Sequence, residues 1–96
     1  MRVLVVVNTH SGGGDAGIYD YVRALGAHGI EIVFRSAEPG ASYAELVSDA
    51  TSFDAIVAAG GDGTASAVCY ASRNTGVPVL VYPAGTANLL ALNLGL

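Results

Sequence analysis

Four apolar runs, each followed by a polar or glycine-containing stretch, divide the chain: Val3 to Val7, Ile30 to Phe34, Ala55 to Ala59 and Val77 to Tyr82. The first is continuous and rich in β-branched residues, the pattern of a parallel strand buried on both faces, and the third and fourth read as further strands. The second alternates Ile30, Ile32 and Phe34 with Glu31 and Val33 and reads as another strand. Between the runs the spacing becomes helical. Ile18, Val22 and Leu25 recur at helical intervals behind a capping Asp15, and Gly26 and Gly29 close that helix. Residues Tyr43 to Ala50 predict a second helix, Thr64 to Arg73 a third, and Thr86 onward a fourth.

Strands alternating with helices give successive βαβ units, whose right-handed crossovers build a parallel sheet with helices on both faces. The expected class is therefore α/β, a three-layer, doubly wound parallel sheet. Ninety-six residues make one modest domain or a piece of a larger protein. Leu89, Leu90, Leu92, Leu94 and Leu96 put leucine nearly all round the last helix, which must then be covered. Either self-association as a homodimer or a further domain would cover it, and the expectation is a nucleotide-binding domain over 1–96 that is a fragment.

The net charge of −4 and the absence of lysine argue against a nucleic-acid groove or an anionic membrane patch, both of which need clustered cations. One cysteine forms no internal disulfide, no signal-peptide pattern precedes the first strand, and no apolar run reaches the ~20 residues of a membrane span. A cytoplasmic setting, with room for peripheral contact with a membrane, is expected.

The candidate chemistry lies at the strand ends. Asn8 to Gly14 follows the first run, Gly60-Gly61-Asp62-Gly63-Thr64 the third, and Pro83-Ala84-Gly85-Thr86-Ala87-Asn88 the fourth. Open α/β sheets bind ligands at the carboxyl ends of their strands. Glycine lets backbone amides approach a phosphate, while Thr64, Thr86 and Asn88 add side-chain donors. That combination points to a nucleotide. Asp62 reads as a turn residue or helix cap, or as an acid serving a metal and the phosphates, and its place between glycines favours function.

Gly12, Gly14 and Gly17 spell G-x-G-x-x-G after a strand, which raises a dinucleotide site. That fold requires an acid at the end of the second strand, where Phe34-Arg35-Ser36 offers an arginine suited only to a 2′-phosphate. A Walker loop is excluded because it requires a lysine. His10 reads as a solvated loop residue or a phosphate contact, and His28 as a helix C-terminal residue. Cys69 reads as a small buried hydrophobe, and Arg35 as the one arginine close to a ligand.

Asn8 to Gly12 (N-x-x-S-G), the GGDGT at Gly60 to Thr64, the P-x-G-T-x-N at Pro83 to Asn88 and the following Asn93-Leu94-Gly95 together resemble the nucleotide-binding domain of the diacylglycerol kinase and sphingosine kinase superfamily, in its bacterial lipid kinase form. GGDGT by itself is shared with NAD kinases and some phosphofructokinases. The resemblance covers the whole chain and implies a Rossmann-like domain binding ATP with Mg²⁺, the γ-phosphate passing to a lipid hydroxyl such as that of diacylglycerol. It implies ATP contacts at Asn8, Thr9, His10, Ser11, Gly12 and Ser36, then Gly60, Gly61, Asp62, Gly63 and Thr64, and finally Gly85, Thr86 and Asn88. Asp62 is the implied catalytic member, serving the metal and phosphate network. The lipid and the catalytic base would belong to a missing C-terminal β-rich domain, leaving the isolated chain inactive. Thr9, Ala67 and Leu89 depart from the family pattern, Ala67 by lacking the acid that usually follows the GGDGT. An NAD kinase-like domain and a non-catalytic nucleotide-binding module remain the alternatives.

Overall fold

A computed structural model of the chain describes residues 1–8, 17–60 and 62–82. Strands β1 (Arg2–Asn8), β2 (Glu31–Ala37), β3 (Ala55–Ala59) and β4 (Val79–Tyr82) form a parallel sheet in the order β2-β1-β3-β4. Helix α1 (Gly17–Ala27) links β1 to β2. A single turn of helix, α2 (Tyr43–Leu46), and a 3₁₀ turn at Ala50–Ser52 link β2 to β3, and α3 (Asp62–Ala71) links β3 to β4.

The alternation of side chains along β1 builds the three layers. Val3, Val5 and Val7 pack with Ile18, Tyr21 and Leu25 of α1 on one face. Leu4 and Val6 pack with Val47, Phe53 and Val68 on the other. Both faces of β1 are sealed, which is why its apolar run has no polar alternation. The chain leaves β1 toward β2 across the α1 face and leaves β3 toward β4 across the opposite face. Opposite directions on opposite faces give crossovers of one hand, as the right-handed rule requires.

Helix α1 ends in a Schellman turn. Gly29 at φ 80° donates its N–H to the Gly26 carbonyl, and Ile30 donates back to Leu25 at 3.4 Å. Leu25 and Ile30 are both buried in the α1-side core, so the turn also seats the chain for β2.

Several sequence expectations shift. The helix predicted over Tyr43 to Ala50 breaks after Leu46, because Arg35 donates to the Leu46 carbonyl at 2.7 Å and occupies the acceptor a longer helix would use. Strand β2 extends to Ala37, so Ser36 lies within the strand. Helix α3 begins at Asp62, which puts Gly63 and Thr64 in its first turn, and it ends at Ala71. Strand β4 begins at Val79 instead of Val77. Cys69 is exposed, because the buried stripe of this segment runs through Thr64, Val68 and Ser72. Asp15 and the helix expected from Thr86 lie outside the described residues. Among the described residues no helix is long and apolar enough to cross a membrane.

Candidate functional site

The pairing register brings all four strand ends to one rim. Asn8 lies opposite Ala37, Val7 opposite Ala59, and Ala59 opposite Tyr82. Strand order reverses between β1 and β3, which carry Asn8 and Gly60 at their carboxyl ends. In an open α/β sheet such a reversal leaves a crevice, because the helices on its two sides depart to opposite faces.

Of the residues singled out from the sequence, Asn8 and Gly60 follow the paired Val7 and Ala59 at this reversal, and Asp62, Gly63 and Thr64 form the first turn of α3 just beyond Gly60. Gly60 adopts φ 152°, a conformation that side chains with a Cβ rarely take, so the turn out of β3 requires glycine. Ser36 is exposed at the same rim but pairs with Val7, a residue of the α1 face, whereas Asn8 pairs with Ala37 of the opposite face. Ser36 and Asn8 thus address opposite faces. Thr9, His10, Ser11, Gly12, Gly61, Gly85, Thr86 and Asn88 lie outside the described residues.

Two buried hydroxyls bear on the chemistry. Thr64 is only 3% exposed, and its Oγ1 has no hydrogen-bond partner among the described residues. A buried hydroxyl left in that state costs about 1–3 kcal/mol, so its position in the first turn of α3 calls for a partner. Helix N-termini supply free N–H groups and positive potential, a setting that suits an anion. On the α1 face, the Tyr21 hydroxyl is likewise buried and unpartnered among the described residues, with its ring 5.3 Å from that of Tyr82. Burial, and secondarily the neighbouring Tyr82, push its pKa up to about 12.

Arg35 does not serve the rim. Its guanidinium grips Asp49 through two hydrogen bonds of 2.6 and 2.8 Å. That grip raises the arginine's own pKa and holds the Asp49 carboxyl below its ordinary value. The expectation of a ligand-facing cation is thereby corrected: the nearest carboxylate claims it. A hollow of about 410 Å³ beside Arg35, Ser42, Glu45 and Leu46 lies along α2.

A second hollow, of about 220 Å³, lies at the rim itself between Asn8, Ala37, Glu38, Gly40 and Tyr43. Asn8 Nδ2 donates to Tyr43 Oη at 3.4 Å, joining β1 to α2 across the hollow. Sequence reasoning missed both Glu38 and Tyr43. Placing the end of β2 at Ala37 would have revealed Glu38 as the acid after the second strand, whereas Tyr43 has no local signature.

Comparisons with known proteins agree with this architecture. A family model described as the diacylglycerol kinase catalytic domain matches residues 2–96. An uncharacterized protein of Synechocystis sp. is 47% identical over 49 residues, which are 51% of this chain and 11% of that protein.

Proposed function

The chain belongs to the diacylglycerol kinase catalytic domain family, and from that premise we propose that it is the ATP-binding part of a lipid kinase, holding Mg·ATP across the β1/β3 reversal for transfer of the γ-phosphate to a lipid hydroxyl. The observation that carries the reading is the buried Thr64 hydroxyl, without a partner among the described residues, in the first turn of the helix that follows the glycine cluster. A phosphate oxygen there would accept from Thr64 Oγ1 and from the α3 N-terminal amides, converting a buried cost into charge-assisted hydrogen bonds.

Bound Mg²⁺ supplies charge neutralisation on the phosphates. Asp62, at the opening of α3, is the residue assigned to the metal and phosphate network. The roles left to the chain are positioning and electrostatic stabilisation, which dominate phosphoryl transfer. Gly60 shapes the turn, Thr64 and the amides orient the phosphates, and Asn8 faces the β1 side of the crevice. The lipid acceptor and the base that deprotonates it are assigned to another domain.

The test is a titration of Mg·ATP into the chain and its Gly61→Val and Asp62→Asn variants. The reading expects saturable binding by the wild type and a loss of at least tenfold with Gly61→Val, which adds bulk to the glycine cluster. No wild-type binding at millimolar nucleotide, or equal binding by Gly61→Val, would overturn it.

A further inference from the structure

From the hollow at the rim we infer that Glu38 is a specificity-determining residue that reads the 2′- and 3′-hydroxyls of the nucleotide's ribose, an inference that rests on the nucleotide-binding reading above. Strand β2 ends at Ala37 opposite Asn8, which places Glu38 one residue beyond the sheet, beside the end of β1. An acid just past the second strand is where a doubly wound sheet can accept hydrogen bonds from ribose.

Size and charge define what the hollow takes. Its volume of about 220 Å³ falls below the roughly 300–1,000 Å³ of sites that enclose a whole drug-sized ligand, so it accommodates one portion of a nucleotide. Among the described residues Glu38 is the only charged side chain lining it, and Arg35 is held by Asp49. A carboxylate repels phosphate, which directs the phosphates elsewhere and leaves the uncharged sugar for the hollow. The two carboxylate oxygens match the two vicinal hydroxyls of a ribose, each oxygen accepting from one O–H.

Distance permits both ends of one molecule to bind. Adjacent strands lie about 4.8 Å apart, so the step from β2 across β1 to β3 is about 10 Å. That step lies within reach of an extended nucleoside triphosphate, with its sugar at Glu38 and its phosphates at Thr64.

The experiment measures affinities of the chain for the Mg²⁺ complexes of ATP, 2′-deoxyATP, 3′-deoxyATP and inosine triphosphate, with inorganic tripolyphosphate as competitor. The same ligands are applied to Glu38→Ala and Glu38→Gln. Hydrogen bonds to a charged group carry roughly ten- to hundredfold in an equilibrium constant, and solvent access at Glu38 favours the lower figure. Wild type is expected to bind each deoxynucleotide about tenfold more weakly than ATP. Glu38→Ala, which loses both bonds, should bind ATP about a hundredfold more weakly and bring the ATP to deoxyATP ratio near one, with tripolyphosphate affinity unchanged and Glu38→Gln intermediate. Equal wild-type affinity for ATP and both deoxynucleotides, or an unchanged ratio in Glu38→Ala, overturns the assignment while leaving nucleotide binding intact. Discrimination against inosine triphosphate that disappears in Glu38→Ala overturns it in favour of a base contact. Failure of every nucleotide and of tripolyphosphate to bind overturns the parent reading and this one together.

Discussion

Replacing Thr64 by valine exchanges a hydroxyl for a methyl of nearly the same shape, in a residue only 3% exposed. With no partner for Oγ1 among the described residues, the substitution removes a desolvated polar atom whose burial costs about 1–3 kcal/mol. Thr and Val have similar helix propensities, so the backbone contributes little to the difference. The free chain should therefore gain about 1–2 kcal/mol. For a domain of this size, each kcal/mol moves the thermal midpoint by roughly 4–8 °C. Affinity for Mg·ATP should move the other way, falling roughly tenfold to a hundredfold if the hydroxyl donates to a charged phosphate. Calorimetric or circular-dichroism melting without ligand, paired with nucleotide titration, reads both. A less stable free chain would mean that Thr64 has an internal partner, and unchanged nucleotide affinity would mean that no phosphate meets it.

Gly60→Ala should destabilise the chain by about 1–3 kcal/mol, because φ 152° is strained for any residue with a Cβ; a urea midpoint equal to wild type would refute this. Tyr21 makes the fold alkali-sensitive: its folded pKa of about 12 lies above the ordinary value of 10.0, so the unfolded chain loses the phenolic proton first. Stability is retained below pH 10 and falls as the pH rises from 10 to 12, a decline that Tyr21→Phe should blunt in pH-dependent unfolding curves. Arg35→Ala and Asp49→Ala should give a coupling of no more than about 1 kcal/mol in a double-mutant cycle, because the pair is partly solvated. Neither substitution should change nucleotide affinity, and a tenfold loss with Arg35→Ala would return the cation to the ligand.

The sheet interior was legible because burial on both sides leaves an uninterrupted apolar run, and Ala55–Ala59 matches its expected bounds. The end of β2 was not. Arg35 and Ser36 look like loop residues, yet pairing with β1 holds them in extended backbone, and a strand paired on one side tolerates polar side chains. The break after α2 depends on Arg35 reaching Leu46 and Asp49, contacts that sequence periodicity does not encode. Cys69 was misplaced because apolar neighbours suggested burial, whereas the stripe from Thr64 through Val68 to Ser72 sets which side faces the core. At the rim, the glycine clusters announced the strand ends, but the Asn8–Tyr43 bond spans 35 positions and appears only once the chain is folded.

The placement of β1 and β3 inside the sheet has a kinetic consequence. Both have neighbours on either side, and Val3 to Val7 and Ala55 to Ala59 are buried, so the backbone amides of those stretches should trade deuterium with solvent only when the whole domain opens. The β1 and β3 sides of the crevice are therefore bolted to the last elements to come apart, whereas fraying at the β2 margin should reach only the hollow beside Glu38.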